Sequence, residues 1–500
     1  MSATHICERC GKIFKYKRLL TSHMNRKYPC KKIETVKENP ESREEDLENI
    51  RITGEPSIAG DRVENDTYTK STDVVHTELE NVESKFQEVV SNTNGSLRFI
   101  DLFCGIGGFH QALSKMGHVC VFASDIDLKC RESYEKNYGI SPVGDITKVS
   151  VEDIPDFDIL CAGFPCQPFS KAGLQEGFAD QTRGTLFYNI LRIIHHHRPR
   201  WLILENVRNL ATHGGGNTWK TIRSSIREAG YNTYEDPIIA NVLHFQIPQF
   251  RERVLILAAR NDMPFPERPI LPKNPKSLLT TTLSSVISPD CHEHRPQMTS
   301  KYLATRRVWN QFLRILHENH ISIPKFPLWT DWWDKRIDEL SEERLASPNT
   351  NEVVFYKKYK DWIDNNQSFY HEHYQLLSIW LHRSREDEPL WVGAVRKLEW
   401  QAGSLSYETG SPEKDSLDAM LWALRGSGVR VKKPDYTPTL VAMAMIPVYG
   451  PLNVRLSPRE LLRLQSFSDT FVYNPRAIFK QIGNAVNVKM INWAATYLLS

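Results

Sequence analysis

The greater part of the chain shows an alternation of apolar and polar segments that is typical of α/β proteins. Residues 97–103 read as a buried strand, the glycines that follow as a tight turn, and Phe109 to Met116 as an amphipathic helix. Further apolar strands are predicted at 119–123, 158–162, 202–204 and 254–258. This pattern predicts a doubly wound α/β sheet, whose ligands bind at the carboxyl ends of the strands.

Two regions of different character precede this alternation. Residues 33–96 are polar and acidic and have no sustained apolar period, which predicts a disordered linker. The exception is a set of four apolar residues at helical spacing, Leu79, Val82, Phe86 and Val89. They leave open a short helix that docks on the α/β region beginning at residue 97. Residues 1–32 are basic, and their apolar residues Phe14 and Leu20 offer a core too small to fold unaided.

Charge supports the same division of the chain. The formal net charge of the 500 residues is only +3, but residues 1–32 carry +8, residues 33–96 carry −10 and residues 97–500 carry +5. No apolar run approaches the roughly 18–20 residues that span a bilayer, and the N-terminus lacks the apolar stretch of a secretory signal. We therefore expect a soluble intracellular protein of two to four domains that makes no contact with membranes.

Cysteine spacing in the basic N-terminal region indicates a metal site. Cys7 and Cys10 are separated by two residues, and twelve residues separate Cys10 from His23. Two thiolates and an imidazole at this spacing can converge on a structural Zn²⁺. Residues 25–28 contain no histidine, so Cys30 is the candidate fourth ligand. The segment resembles a classical zinc finger in a Cys-Cys-His-Cys variant; a basic tail with coincidental cysteines, or a finger that binds protein rather than DNA, remains the alternative.

The turn after the first strand predicts a site for an adenosine-containing ligand. A strand, a glycine turn, a helix and a carboxylate about twenty residues further on form a nucleotide cradle. The dinucleotide fingerprint fails at His110, which favours a ligand without a pyrophosphate, and Phe103 is placed to face a sulfonium. S-adenosylmethionine has these properties, and the predicted contacts are Phe103, Gly105, Gly107, Gly108, Asp125 and, for the adenine, Asp145. An ordinary doubly wound domain with incidental acidic residues is the alternative.

A candidate nucleophile follows the strand at 158–162. Cys166 stands between Pro165 and Pro168, so its thiol is presented on a rigid loop at the carboxyl end of a strand. Glu205 ends the next strand, and Arg251 and Arg253 add two guanidiniums before the strand at 254–258. We take these four residues, Cys166, Glu205, Arg251 and Arg253, as the candidate catalytic set.

Together these blocks resemble the DNA (cytosine-5) methyltransferases. The matching segments are DLFCGIGGF, GDIT, GFPCQPFS, ENV, QFRER, LSPRELLRLQSF and QIGNAV, within residues 97–260 and 453–500. The resemblance implies a Rossmann-like S-adenosylmethionine-dependent methyltransferase fold in which Cys166 attacks carbon 6 of a cytosine flipped out of double-stranded DNA, while Glu205 holds the ring and Arg253 assists. It also implies further contacts of the methyl donor with Ile126, Ile146, Leu186, Asn484 and Val486.

Residues between the two matching regions carry no family block, and the resemblance places a target-recognition domain there. Nine of the twelve tryptophans fall in this stretch, and we expect most of them to be core residues. Its candidates for contact with DNA are the Arg425–Gly428 loop and three basic clusters, Arg306-Arg307, Lys357-Lys358 and Arg430 to Lys433. The predicted domains are a zinc finger at 1–32, the linker at 33–96, catalytic residues at 97–290, target recognition at 291–454 and a return to the catalytic domain at 455–500.

These predictions describe an enzyme that methylates cytosine at carbon 5 in double-stranded DNA, acting as a monomer in the nucleus or another DNA-containing compartment. Two alternatives remain open. One is the methylation of cytosine in transfer RNA, and the other is a catalytically silent DNA-binding protein. Zn²⁺ is expected in the finger alone, since the methyl transfer itself needs no metal.

Overall fold

The computed structural model describes residues 95–165, 186–288, 291–334, 351–387, 395–405, 412–442 and 445–500, together with two short strands near the N-terminus. Contacts divide the chain into two units, residues 1–68 and residues 69–500. Several predicted features lie outside the described residues, namely the zinc ligands Cys7, Cys10, His23 and Cys30, the linker up to residue 94, and Cys166 with the loop that follows it.

The described secondary structure of the first unit is a pair of short strands. Strands β1 (His5–Ile6) and β2 (Ile13–Phe14) pair antiparallel, with His5 opposite Phe14 and Ile6 opposite Ile13. In sequence, this hairpin brackets the segment that holds Cys7 and Cys10.

The second unit is built around a sheet of seven strands. These are β3 (Arg98–Leu102), β4 (Val119–Ser124), β5 (Ile159–Gly163), β6 (Trp201–Val207), β7 (Tyr231–Thr233), β8 (Ile238–Asn241) and β9 (Glu252–Arg260). Their order is β4-β3-β5-β6-β9-β7, with β8 also paired to β9. The first four are parallel, whereas β9 runs antiparallel to β6. The predicted α/β sheet is therefore confirmed, and it is mixed rather than purely parallel.

Helices cover both faces of this sheet because its central strands are apolar on both sides. They are α1 (Gly108–Ser114), α2 (Leu128–Tyr138), α3 (Leu186–His197) and α4 (Asn217–Glu228). One core joins Phe99, Cys161 and Ile203 of the strands to residues of α1 and of the C-terminal helix. The other joins Ile100 and Leu160, on the opposite face, to the apolar sides of α3 and α4.

The region predicted to recognise the target has its own sheet of six strands, in the order β10-β11-β13-β12-β14-β15. The strands are β10 (Leu328–Trp329), β11 (Lys397–Trp400), β12 (Leu421–Arg425), β13 (Gly428–Lys432), β14 (Val448–Tyr449) and β15 (Val454–Arg455), and the helices are α5 (Ser300–Glu318), α6 (Asn351–Glu372) and α7 (Tyr374–Asp387). A separate apolar core holds Trp309, Trp333, Trp380 and Trp422. Of the tryptophans that the structure describes here, Trp362 is the exposed one, so the core assignment of most of them is confirmed.

The C-terminal segment returns to the first sheet. It forms α8 (Pro458–Leu464), α9 (Ile478–Asn484) and α10 (Val488–Leu499), and α10 packs against α1 and β9. A buried ion pair between Arg295 and Glu460, with 2.8 Å between Nη2 and Oε1, ties α8 to the start of the inserted region. Among the helices that the structure describes, none is long and apolar enough to cross a membrane.

Candidate active site

A cavity of about 450 Å³ opens where the parallel strands end. Its wall combines the carboxyl ends of β3, β4, β5 and β6, the start of β9, and α9 from the C-terminal segment. The predicted site residues that line it are Phe103, Gly105, Asp125, Ile126, Asp145, Ile146, Leu186, Glu205, Arg251, Arg253 and Asn484. Gly107, Gly108 and Val486 lie behind this wall. The fold therefore brings residues from widely separated segments to one edge of the sheet.

Asp125 fixes the turn that forms one side of the cavity. Its Oδ2 accepts a hydrogen bond from the Gly105 N–H at 2.8 Å, and its Oδ1 accepts one from the Asp127 N–H at 2.8 Å. Burial raises the pKa of the Asp125 carboxyl, although these two backbone donors oppose the shift. A carboxylate has about four acceptor positions, so Asp125 retains capacity for a ligand hydroxyl. Phe103, just before the turn, has a positive φ of 56°, which is uncommon for a side-chain-bearing residue.

Two of the predicted glycines act through packing rather than by lining the cavity. Gly107 has a φ of 83°, and a Cβ there would stand 2.2 Å from the Tyr138 ring. The Tyr138 hydroxyl donates to the carbonyls of Ile106 and Gly107 and so holds the turn from behind. A Cβ on Gly108 would lie 2.4 Å from the Val486 carbonyl oxygen. Both glycines are required because the turn is packed closely against α2 and the C-terminal segment.

Glu205 and Arg253 form a buried ion pair in the cavity wall. The antiparallel register of β6 and β9 places Val207 opposite Arg253. Glu205, two residues before Val207, lies on the same face of the sheet as Arg253, and the side chains of Glu205 and Arg253 meet at the end of the sheet. Arg253 Nε lies 2.8 Å from Glu205 Oε1, and the two side chains are 10% and 9% exposed. Burial raises the pKa of the Glu205 carboxyl, and the positive charges of Arg253 and Arg251 oppose this shift. The site therefore contains a carboxyl group that is poised to hold a proton.

Arg251, predicted as a catalytic residue, lines the cavity and contacts the C-terminal segment. Its Nη1 donates to the carbonyls of Leu440 and Gly483, and its Nη2 donates to those of Gly483 and Ala485, at 2.7 to 3.2 Å. The side chain is fully buried, and this burial lowers the pKa of Arg251 to about 9. Its guanidinium donates to backbone carbonyls on either side of Asn484, and these contacts favour a positioning role of Arg251 for the C-terminal segment; the catalytic role stays a prediction.

Asn206 holds the start of the loop that carries the predicted nucleophile. Its Nδ2 donates to the Phe164 carbonyl at 2.8 Å, and its Oδ1 accepts from the Val207 N–H at 2.8 Å. Phe164 and Pro165 line the cavity, and Cys166 is the next residue in the chain. The end of β5 is thus fixed to the end of β6, directly before Cys166.

Several lining residues were missed by sequence reasoning. Lys480 Nζ lies 2.8 Å from Asp127 Oδ2, and Gln481 Nε2 donates to the Lys129 carbonyl at 2.9 Å. These contacts join α9 to α2 at the cavity, although the two helices are more than 300 residues apart in the chain. Gln481 begins the QIGNAV segment but was given no contact there, and no local signal in the sequence marks Lys480, because only the fold brings α9 to this place.

The described cysteines near the cavity are poor nucleophiles. Cys104, Cys120, Cys130 and Cys161 are buried and unpaired with one another. Burial raises the pKa of Cys120 and Cys130 to about 12, and raises the pKa of Cys104 and Cys161 well above the ordinary value. These thiols stay protonated at neutral pH, whereas nucleophilic attack needs a thiolate.

Comparison with known proteins now assigns the family. Residues 97–499 match the family described as C-5 cytosine-specific DNA methylase. The chain belongs to this family. It is 31% identical over 488 residues to the type II methyltransferase M.AluI of Cellulosimicrobium cellulans, an alignment that covers 80% of this chain and 92% of that protein. It is also 31% identical over 438 residues to M.HgiCI of Herpetosiphon aurantiacus, with 79% and 96% covered.

Among solved structures, the chain is similar to the Dnmt2 methyltransferase of S. pombe. The sequence identity is 16% and the TM-score 0.43, with 81% of this chain and 98% of that chain covered. The family assignment rests on the sequence comparisons alone.

As a C-5 cytosine-specific DNA methylase, the protein transfers a methyl group from S-adenosylmethionine to carbon 5 of cytosine in DNA. The family match confirms the predicted activity and donor, and it favours the DNA enzyme over the transfer RNA enzyme and the silent DNA-binding protein. It extends over the predicted catalytic domain, the inserted region and the C-terminal return, and it leaves out residues 1–96.

Proposed function

We propose that the cavity holds both the methyl donor and a cytosine flipped out of double-stranded DNA, and that Cys166 attacks carbon 6 of this base. The buried pair of Glu205 and Arg253, next to the loop that leads to Cys166, is the observation that carries the proposal. A carboxyl group at the end of one parallel strand, and a cysteine that follows the end of the neighbouring strand in sequence, suit a reaction that needs a nucleophile and a proton donor together.

The lining of the cavity fits S-adenosylmethionine. Ile126 is 76% exposed and offers an apolar face for adenine, Asp125 retains acceptor positions for ribose hydroxyls, and the Phe103 ring can face a positively charged sulfur. Leu186, Ile146 and Asn484 complete this side of the cavity, and Asp145 is held by the Thr147 hydroxyl and N–H. When bound, the donor supplies an electrophilic methyl group on a sulfonium.

The chain's own residues prepare the cytosine. Carbon 5 of cytosine is too weak a nucleophile to be methylated directly. Addition of the Cys166 thiolate to carbon 6, with a proton from Glu205 to the ring nitrogen N3, turns the ring into an enamine whose carbon 5 is nucleophilic. After carbon 5 is methylated, a base removes its proton, the electrons of that C–H bond restore the double bond, and the thiolate leaves carbon 6. The proton on N3 then returns to Glu205, so Cys166 and Glu205 end the cycle in their starting states.

Arg253 supports both partners of this step. Its guanidinium lies against Glu205 and keeps the carboxyl oriented. We propose that its positive charge also favours the thiolate form of Cys166 during the attack. Burial raises the pKa of the Glu205 carboxyl and so favours its protonated form, whereas the charge of the adjacent Arg253 favours the ionised form. The cost of unstacking the base, a few kcal/mol, is met by contacts with DNA outside the cavity.

Labelled methyl transfer to duplex DNA tests these roles. We expect Cys166→Ala to abolish transfer while the donor still binds, and Glu205→Gln to lower kcat by at least about 100-fold. Asp153→Asn, at an exposed carboxyl that does not line the cavity, is the matched control and should behave as the wild type. Full activity of Cys166→Ala would overturn the covalent route, and full activity of Glu205→Gln would overturn the proton transfer.

We further propose that residues 1–32 form a zinc finger with Cys7, Cys10, His23 and Cys30 as ligands. The β1–β2 hairpin, which brackets the two cysteines in sequence, supports this assignment. Zinc analysis of the full chain and of Cys30→Ser tests it. We expect one Zn²⁺ per wild-type chain and a large loss of affinity in the variant; absence of zinc from the wild type would contradict the site.

The domain roles belong to the same proposal. Residues 291–454 recognise the target sequence, since they form a separate core and sheet beside the catalytic domain. The enzyme acts as a monomer in the nucleus or another DNA-containing compartment. Light scattering of the protein, alone and with duplex DNA, tests the monomer, because a dimer mass in both samples would contradict it.

A further inference from the structure

A second cavity, of about 370 Å³, lies in the inserted region, within the volume range of small-ligand sites. It is formed at the β10 edge of the six-stranded sheet by residues of β10, β11, α6 and the turn between β12 and β13. None of its lining residues belongs to the methyl-transfer cavity. Its wall is unusual in combining large aromatic rings with charged side chains.

Four aromatic residues line the wall, namely Trp329, Trp332, Tyr359 and Trp362, and three of them are in mutual ring contact. Tyr359 and Trp362 are stacked, with 5.8 Å between their ring centroids, and Trp329 stands edge-on to both at 5.2 and 5.8 Å. Trp362 is 44% exposed, so part of its ring faces open space. An exposed indole in a cavity offers a flat apolar surface on which a planar ring can stack.

The charges beside these rings come from two cations, each of which also contacts a carboxylate. Arg396 and Lys397 line the cavity with one carboxylate, Asp331, which lies 2.5 Å from Arg396 Nε. Lys397 Nζ lies 5.2 Å from the centroid of the Trp329 ring and 2.7 Å from Glu399 Oε1. The lysine ammonium therefore already occupies the ring face that a ligand cation would need. The lining favours a ligand that is flat at one end and negatively charged at the other.

We propose that this cavity binds a nucleotide, with the base stacked on Trp362 and the phosphate beside Arg396 and Lys397. The hydroxyl of Ser427, in the turn between β12 and β13, adds a hydrogen-bonding group to the same wall. A free nucleotide and an unpaired nucleotide within a DNA strand offer this chemistry equally. In an enzyme that unpairs a base of its DNA substrate, such a cavity provides a second place for an unstacked base, separate from the reacting cytosine.

Binding to the full-length protein tests the proposal with two probes. Calorimetry with thymidine monophosphate measures the free nucleotide, and fluorescence anisotropy with a labelled ten-nucleotide thymidine strand measures the DNA-borne base without offering a cytosine. We expect Trp362→Ala to weaken binding by about 5- to 100-fold, as for loss of one base stack, and Trp362→Phe to retain most of the affinity. Arg396→Gln should weaken binding and reduce its dependence on salt.

A control variant separates the cavity from the general surface. Tyr374→Ala removes another exposed aromatic residue of the same region and should bind both probes as the wild type does. If Trp362→Ala loses binding of thymidine monophosphate, the cavity is a site for a free nucleotide. If the variant loses binding of the thymidine strand alone, the cavity is a site for an unpaired base in DNA. Equal binding of both probes by the wild type and Trp362→Ala would overturn the proposal. Binding of tetramethylammonium that depends on Trp362, with neither nucleotide probe bound, would overturn it as well.

Discussion

The positioning role of Arg251 makes a quantitative prediction. Replacement by methionine keeps the size of the side chain but removes the donors to the carbonyls of Leu440, Gly483 and Ala485. A buried carbonyl left without a donor costs about 1–3 kcal/mol, so these acceptors together account for about 3–9 kcal/mol. Part of this is offset because a buried guanidinium is itself costly, as the lowered pKa of Arg251 indicates.

We therefore expect Arg251→Met to lose about 3 kcal/mol of unfolding free energy, equivalent to a fall in Tm of roughly 5 °C. Because Asn484 lies between two of the anchored carbonyls, we also expect weaker binding of S-adenosylmethionine. Calorimetric unfolding and calorimetric titration with the donor measure the two effects. Arg208→Met, at a half-exposed residue near Glu252, is the control and should change Tm little.

One combination of results would rule out a positioning role for Arg251. If Arg251→Met retains wild-type Tm and donor affinity while kcat collapses, its guanidinium acts on the reacting base and is not a clamp for the C-terminal segment. A positioning role predicts the reverse, with stability and donor affinity both lowered.

Two further predictions concern the turn and its support. Gly107→Ala should lower Tm and donor affinity more than Gly117→Ala does. The two glycines share a φ near 85°, but of this pair only Gly107 would bring an added Cβ into a clash with Tyr138. Equal losses in the two variants would contradict this expectation. Burial raises the pKa of the Asp101 carboxyl well above its usual value, so its contribution to stability is present below the unfolded pKa and is lost as pH rises through the folded pKa. Asp101→Asn should therefore gain stability relative to wild type with rising pH, by up to about 1.4 kcal/mol per unit in urea unfolding, whereas parallel curves would refute it.

The elements of the first sheet were predictable because each has a local signal. The apolar runs at 119–123 and 202–204 correspond to β4 and β6, and the helix predicted from Phe109 to Met116 corresponds to α1. The carboxyl ends of parallel strands share one edge of the sheet, so Asp125 and Glu205 were expected at the same cavity, and they line it.

Features that depend on distant contacts were not predictable in the same way. The antiparallel direction of β9 decides that Arg253 faces Glu205, and an apolar run carries no information about strand direction. Arg251 and Arg253 are two residues apart and looked equivalent in sequence. They differ because one guanidinium meets the carbonyls of the C-terminal segment and the other meets a carboxylate. Lys480 and Gln481 reach the cavity only through the packing of α9 against α2.

In the inserted region, too, features that depend on distant contacts were not predictable from the sequence. Its tryptophans predicted a core, and most of those described are buried, but the arrangement of Trp329, Tyr359 and Trp362 around a cavity follows from the meeting of β10 with α6. Arg306, counted in sequence among the candidate phosphate contacts, forms an ion pair with Asp418 and contributes to the packing of α5.

The covalent route through Cys166 is the central claim, and one trapping experiment tests it most directly. Duplex DNA in which 5-fluorocytosine replaces cytosine is incubated with the full-length enzyme and S-adenosylmethionine, since fluorine cannot be removed as the carbon 5 proton is. We predict a stable protein–DNA adduct in which the methylated base is attached to the peptide that contains Cys166, as read by mass spectrometry, and no adduct with Cys166→Ala. Adducts of equal yield in the wild type and Cys166→Ala, or attachment at another cysteine, would contradict the account.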